Sequence, residues 1–573
     1  MQLREPDPVI AQLTGPDGPF EIVVEDVLGK PTQVYRRRMR ALGDVLEQSA
    51  GRDDLTWLVQ GDRRLTFAEH NAAARRCARS LRALGIARRD RVAIVSANCP
   101  EWVVMFWACA LIGAIAVPLN AWWKTEELEF GLTDSGARVL VTDAKRLELV
   151  RPILGALPEL EQVFVIGADG DQGGVEPFAK LLGDSAHAAV GAEVDEDDIF
   201  AILYTSGTTG RPKGATITHR QIIANLQNII VLGVAQAMRG TPPPEAKADV
   251  QSASLLVVPL FHVTGCLSTM TVNYATGAKL VLMPPGRFDP VEAMRVIERE
   301  RVTSIGGVPT IMWRIIDAPE RADFDLSSVQ RASYGGAPAA PELVDRIAEA
   351  FPNLRKTLTT AYGLTETASV ATAHGGDDYF AHPGSVGRPA PTVELKIVGD
   401  DDREQPTGSP GEIWIKGPNV MAHGYWNRPD ANALSFTDGW FHTGDIGKVD
   451  ADGFVYIVDR AKDLIIRAGE NIACVEIEHV LFQHPDVVDA AVVGVTHPVL
   501  GEEVKAVVQV KTGAAVTADD LRAFCRIHLA DFKVPEHVEM RSDALPRNPA
   551  GKVLKNLLRG GESAFAVADD SAL

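Results

Sequence analysis

Residues 201–214 hold a dense set of anion-binding groups: Ala-Ile-Leu-Tyr-Thr-Ser-Gly-Thr-Thr-Gly-Arg-Pro-Lys-Gly. An apolar run leads into Thr205, Ser206, Gly207, Thr208, Thr209 and Gly210, and Lys213 follows Arg211 and Pro212. Glycine lets the backbone bend close to an anion, and successive N–H groups can form an anion-binding nest. The hydroxyls add donors and Lys213 adds a positive charge. Such a loop is suited to phosphate. It is not the Walker arrangement, because Lys213 follows a proline.

Three more segments carry groups of matching chemistry. Residues 361–367 (Ala-Tyr-Gly-Leu-Thr-Glu-Thr) offer a ring, hydroxyls and a carboxylate. Residues 440–447 (Trp-Phe-His-Thr-Gly-Asp-Ile-Gly) place Asp445 in a turn, and residues 545–555 (Leu-Pro-Arg-Asn-Pro-Ala-Gly-Lys-Val-Leu-Lys) do the same for Lys552. Each alone could be a surface turn. Together and in this order they resemble the signatures of the adenylate-forming (AMP-binding) superfamily: acyl-CoA synthetases, peptide-synthetase adenylation domains and firefly-type luciferases. The resemblance covers roughly residues 60–555 and falls in the acyl-CoA synthetase, or fatty-acid–CoA ligase, branch.

The resemblance implies a reaction. A carboxylate is a poor electrophile; attack on the α-phosphate of ATP converts it to a mixed anhydride whose leaving group is AMP, and coenzyme A then takes the acyl group. Holding two anions in line demands positioning and cations more than covalent catalysis. The implied roles follow by position. Tyr362 stacks on adenine, Thr365 lies near the α-phosphate, and Glu366 helps hold Mg²⁺, for which a carboxylate is a suitable hard ligand. Gly335, Gly336 and Ala337 lie beside adenine and the acyl pocket. Asp445 binds both ribose hydroxyls, since one carboxylate can accept two hydrogen bonds. Arg460 contacts ribose or phosphates, and Lys462 is the hinge. Residues 466–471, with Gly469 central, line the pantetheine tunnel. Lys552 drives adenylation. His262, in Pro-Leu-Phe-His-Val-Thr-Gly, falls at the family's aromatic gate. Asp459 and Cys474 depart from the usual residues and are read as variations without a role in ATP binding.

The acid is less defined. The positions implied for its pocket, Val263, Cys266, Gly306, Gly307, Val308, Gly335, Ala337 and Ala361, are small or apolar. They suit a monocarboxylic acid with a sizeable apolar group: a medium- or long-chain fatty, cyclic or aryl acid. Coenzyme A is favoured as acceptor because no carrier domain follows Lys552. A separate carrier protein or an amine is the alternative. So is an inactive nucleotide-binding scaffold, although that would not need Lys552, Glu366 and Asp445 together.

Elements that could position these groups are legible in the hydropathy. A helix over 67–84 is followed by strand-like runs at 91–96, 114–118, 138–142, 163–166 and 199–204, then at 254–258, 279–283 and 304–306. Such alternation predicts parallel sheets with helices on their faces. After about residue 385, short apolar runs broken by Gly and Pro (394–398, 411–416, 454–458) predict an antiparallel, β-rich lobe. A helix at 474–482, strands at 487–495 and 503–510 and a helix at 517–529 predict a small α+β unit. The expected fold is therefore α/β: a large N-terminal domain (1–460) of two parallel-type sheets plus a β-rich lobe, and a small mobile C-terminal domain (461–573).

With 46% hydrophobic and 23% charged residues and a net charge of −19, the chain reads as a cytoplasmic globular protein, ill suited to non-specific nucleic-acid binding. Six cysteines without a CxxC pair read as reduced thiols. The first 18 residues hold no apolar run, so no signal peptide is expected. The uncharged stretch 102–119 is near the lower limit for a membrane span, but Gly113 and Pro118 argue for a buried helix and a short strand. The basic run Arg36-Arg37-Arg38-Met39-Arg40 reads as a solvated helix face or, alternatively, as a phosphate- or membrane-contacting patch.

Overall fold

Short apolar runs alternating with amphipathic stretches become two mainly parallel sheets in the computed structural model. It describes residues 7–49, 51–168, 173–183, 193–205, 212–239, 251–286, 288–335, 341–468, 470–548 and 551–560. The first sheet has seven strands, with Arg91–Val95 central between Ile115–Pro118 and Val139–Asp143. Ile199–Thr205 lies parallel to Ile115–Pro118, and Lys213–Thr218 closes that edge antiparallel. The second sheet has nine strands. Its parallel centre runs Leu358–Tyr362, Arg331–Gly335, Ser304–Gly307, Ala253–Leu256, Lys279–Leu282.

Local chemistry explains the elements. The helix Phe67–Ala83 starts at a capping box: Thr66 accepts from the Glu69 N–H, and the Glu69 carboxylate accepts from the Thr66 N–H. Its buried residues, among them Phe67, His70, Ala74, Cys77 and Leu81, recur at helical spacing. The uncharged stretch at 102–119 is the buried helix Pro100–Ile112, stopped by Gly113 at φ +69°, then the strand Ile115–Pro118. One described helix, His219–Met238, is long and apolar enough to cross a membrane, but 56% of its window is buried in the fold. Its polar side chains are tied internally: Asn228 accepts from the Tyr35 hydroxyl at 2.7 Å and donates to Thr392 at 3.0 Å.

The basic run 36–40 is not a helix face, but Arg36, Arg37 and Arg40 are exposed, so it is solvated in part. It connects the strand Lys30–Tyr35 to the helix Leu42–Glu47. The Arg38 side chain is 3% exposed and pairs with Glu25 at 2.7 Å and Glu196 at 2.9 Å. Arg40 and Arg220 converge on the same Glu196 carboxylate at 2.6 and 2.9 Å. Arg38 is thus committed to internal acids. All six cysteines are free thiols.

The β-rich lobe is antiparallel: Glu394–Val398, Gly411–Lys416, Trp440–Val449 and Val455–Arg460 pair in turn. The C-terminal unit packs the helices Cys474–Phe482 and Ala518–His528 on a sheet led by the long hairpin Val487–His497 and Gly501–Val510. The fold is thus α/β, with a large N-terminal part of two sheets and a β-rich lobe and a small C-terminal α+β part.

Candidate active site

The carboxyl ends of the parallel strands in the second sheet gather several of the sequence-derived positions. Register places Gly306 beside Ser333, Gly307 beside Tyr334, and Gly335 beside Ala361, so two adjacent strands end in glycine and the third in Ala361-Tyr362. A Cβ on Gly335 would lie 2.6 Å from the Ala361 carbonyl oxygen, which is too close for any side chain. The carboxyl ends of the parallel strands are where ligands of open α/β sheets usually bind. Val263 and Val308 are half-buried, but Cys266 is fully buried, its thiol directed to the His262 carbonyl at 3.2 Å. Cys266 therefore stands behind the lining, in the hydrophobic core, and is not part of the open surface.

The phosphate-type loop spans the hairpin of Ile199–Thr205 and Lys213–Thr218, in which Thr205 and Lys213 are paired. Ser206, Gly207, Thr208, Thr209 and Gly210 lie outside the described residues, as do Gly336, Ala337 and Gly469. The Lys213 ammonium sits 5.1 Å from the centre of the Tyr425 ring.

Tyr362 ends its strand, and the next turn carries Thr365 and Glu366. Glu366 is buried; its Oε1 accepts from the Tyr425 hydroxyl at 2.7 Å, and its carbonyl accepts from the Met421 N–H at 2.8 Å. Among the described residues no group of three or more His, Cys, Asp or Glu could hold a metal. One carboxylate fits the way Mg²⁺ is usually bound, by one or two protein oxygens plus substrate phosphates and water.

Asp445 and Arg460 are register partners on neighbouring antiparallel strands. Asp445 is 3% exposed; Oδ2 accepts from the Tyr362 hydroxyl at 2.6 Å and Oδ1 meets Arg460 Nε at 2.9 Å. A carboxylate has about four lone-pair sites. Two are used, and two remain for a diol. Burial, and then the Asp445 charge, push the Tyr362 phenol well above its ordinary pKa, so it stays a donor. The strand is shaped upstream by Glu412, whose carboxylate accepts from the Gly444 N–H at 2.8 Å and from the Trp414 indole at 2.9 Å. His442 stacks on Trp414 with ring centres 3.9 Å apart and plays a packing part.

Lys552 comes to this cluster from the C-terminal unit. Its turn is held by Asn548, which accepts from the Lys552 N–H at 2.9 Å, and by Arg547, paired to Asp489 at 2.6 Å. The Lys552 side chain is exposed to solvent, although many protein atoms stand around it. That crowding, with the cations Arg460 and Lys462 outweighing Asp445 and Asp463, lowers the ammonium to about 8. His262 is half-buried, and its buried Nε2 has no hydrogen-bond partner among the described residues. Burial lowers its pKa to about 4, so the ring is neutral at pH 7, packed on Phe261, which in turn contacts Trp122.

The two residues that depart from the family pattern meet each other. The Cys474 N–H donates to Asp459 Oδ2 at 2.5 Å, and the Cys474 thiol donates to the Asp463 carbonyl at 3.0 Å. Asp459 thus satisfies a free N–H at the first turn of the helix Cys474–Phe482. Burial pushes the Asp459 pKa up, opposed by nearby Lys555, which pairs with Glu478 at 2.8 Å. Lys555→Met is expected to lower stability by about 2 kcal/mol, less than a fully buried pair because both side chains keep some solvent contact. Thermal unfolding of the purified variant checks this; an unchanged midpoint would mean the pair contributes nothing.

Sequence reasoning missed Tyr425 and Glu412. Their partners Glu366 and Gly444 lie 59 and 32 positions away, so no local run announces them.

With this geometry in view, comparison with known proteins places the chain. The AMP-binding enzyme family matches residues 45–426, and the AMP-binding enzyme C-terminal domain matches residues 476–552. The chain belongs to the AMP-binding enzyme family. Within it the chain falls among the acyl-CoA synthetases, acid–thiol ligases that use ATP and CoA. It is 36% identical over 504 residues to a feruloyl-CoA synthase of Amycolatopsis sp, covering 88% of this chain and 95% of that protein. It is 36% identical over 503 residues to the long-chain-fatty-acid–CoA ligase FadD13 of Mycobacterium tuberculosis, covering 88% and 94%. The crystal structure of the anthranilate CoA ligase AuaEII in complex with anthranoyl-AMP superposes with a TM-score of 0.82 at 27% identity, covering 91% of this chain and 97% of that one.

Proposed function

We propose that this ligase activates an apolar monocarboxylic acid in the cleft described above, with its residues in the following roles. A carboxylate oxygen of the acid attacks the α-phosphorus of ATP, the bond to the β-phosphate oxygen breaks, and pyrophosphate leaves. The thiol of CoA then attacks the acyl carbon and gives up its proton to solvent, the bond from that carbon to the phosphate oxygen breaks, and AMP leaves. Lys552 offsets negative charge shared by the acid and the α-phosphate, where charge changes in the transition state. Thr205, Lys213 and the loop between them hold the phosphates, and Thr365 lies by the α-phosphate. Asp445 and Arg460 hold the ribose, and Tyr362 the adenine. Glu366 would hold Mg²⁺, which supplies positive charge against the phosphates. Neutral His262 serves as a gate and not as a base, since the attacking carboxylate is already ionised.

The observation that carries this reading is that Lys552, on the C-terminal unit, lies within electrostatic reach of Arg460 and Asp445. We place the domain boundary at 460/461 with Lys462 as hinge, so that the C-terminal domain can turn Gly469 toward the cleft for the second half-reaction. Val263, Gly306, Gly307, Val308 and Ala361 carry no charge and leave room for a fatty, cyclic or aryl group. The aryl and long-chain acids in the relatives' names are of this kind. Incubation with ATP, Mg²⁺ and a library of carboxylic acids, with and without CoA, read by mass spectrometry, tests it. Acyl-CoA products are expected. Acyl-adenylate without thioester would redirect the acyl group to a carrier protein or amine, and ATP binding without pyrophosphate release would leave a scaffold.

The Lys552 ammonium makes a pH prediction. The charged form is the active one, and it is lost as pH rises through about 8. For ATP, kcat/KM of adenylation reports the free enzyme and should fall above that pH. Lys552→Arg, whose guanidinium stays charged, should lack the alkaline limb. A limb of the same position in both proteins would assign it to another group.

A further inference from the structure

Tyr425 touches both Lys213 and Glu366 and belongs to none of the motifs above. Its hydroxyl donates to Glu366 Oε1 at 2.7 Å, and its ring lies 5.1 Å from the Lys213 ammonium. The two contacts come from opposite parts of the proposed nucleotide site, the phosphate loop and the acidic turn. Tyr425 and Glu366 are each 8% exposed, so the hydrogen bond is shielded from water.

The backbone at Tyr425 is fixed on both sides. Ala215 and Tyr425 form an antiparallel bridge, and the Trp426 N–H donates to the Gly214 carbonyl at 2.7 Å. The Thr216 hydroxyl donates to the Gly424 carbonyl at 2.6 Å. Asn432 accepts from the Tyr425 N–H at 2.6 Å and donates to its carbonyl at 3.1 Å. The segment 424–426 therefore extends the edge of the first sheet directly after Lys213. The backbone that carries the ring is thus fixed by the sheet edge. Burial, and then the Glu366 charge, raise the phenol's pKa far above its ordinary value, so it remains protonated.

We propose that Tyr425 is a positioning residue for the nucleotide and its metal. The hydroxyl occupies one oxygen of Glu366 and leaves the other to a divalent cation, while the ring face holds the Lys213 ammonium toward the phosphates. The proposal rests on the reading that Glu366 and Lys213 serve Mg²⁺ and ATP. Its content is that one side chain sets the relative position of both.

Equilibrium binding of a fluorescent ATP analogue, titrated with Mg²⁺ or held in EDTA, separates the two contacts. Tyr425→Phe keeps the ring and loses the hydroxyl. Its half-saturating Mg²⁺ should rise about tenfold, as for the loss of one charge-assisted hydrogen bond, with binding in EDTA within about twofold of the parent. Tyr425→Leu should also weaken binding in EDTA, by about threefold, through loss of the cation–π contact. In a Glu366→Gln background, Tyr425→Phe should add less than about twofold, since the partner is already altered. A Mg²⁺ midpoint unmoved in Tyr425→Phe, full additivity with Glu366→Gln, or equal weakening with and without Mg²⁺ would each overturn the proposal. Parent protein whose ATP binding ignores Mg²⁺ would instead sink the role given to Glu366.

Discussion

Lys552→Ala should slow pyrophosphate release by about 10³-fold, the upper range for removing one electrostatic contact to a transition state, and leave thioester formation from supplied acyl-adenylate within about twofold. The asymmetry follows from where Lys552 sits. Its turn is anchored within the C-terminal unit by Asn548 and by Arg547 to Asp489, while its ammonium feels Arg460 and Asp445 in the N-terminal part. Only the first half-reaction brings two anions together at that point. In the second, pyrophosphate has left and the nucleophile is a thiol. The measurement is two separate assays on one protein: pyrophosphate release with ATP and acid, and acyl-CoA formation from synthetic acyl-AMP and CoA. Equal loss in both would mean that Lys552 supports the fold of the cleft or serves both steps in one pose, and the hinge at Lys462 would lose its reason.

Much of this site was legible in the residues because its chemistry is concentrated in short runs. The strand limits at 91–95, 394–398 and 411–416 came within a residue, since short runs rich in Val and Ile that end at a polar residue or a glycine leave little choice. The helix Cys474–Phe482 has the limits its sequence suggested. What could not be read was pairing over distance. Arg36–Arg40 reads as a surface charge run because its partners, Glu25 and Glu196, lie 13 or more positions away. Cys266 reads as a lining residue, but it lies in the π-helical segment Thr264–Met270, whose side facing the core the short run Val263–Cys266 does not reveal. Tyr425 lies 59 positions from Glu366. Asp459 and Cys474 looked like independent departures, and only the fold joins the carboxylate of one to the N–H of the other.

Asp445→Ala is expected to raise KM for ATP by about 100-fold, the sum of two lost charge-assisted hydrogen bonds of about 1.5 kcal/mol each. The carboxylate's present partners, the Tyr362 hydroxyl and Arg460 Nε, take one lone pair on each oxygen. The free lone pairs are therefore one per oxygen, which matches a vicinal diol. Removing the carboxylate also leaves Arg460 without its anion and Tyr362 without its acceptor, so a rise in KM alone would not identify the ribose contact. Deoxy nucleotides resolve this. With the parent enzyme, 2′-deoxy-ATP and 3′-deoxy-ATP should each lose about tenfold in kcat/KM, and with Asp445→Ala neither should lose more than about twofold relative to ATP. Were the variant to discriminate the deoxy nucleotides as the parent does, the hydroxyls would be held elsewhere. Asp445 would then act only by fixing Tyr362 and Arg460, whose own substitutions should reproduce its effect.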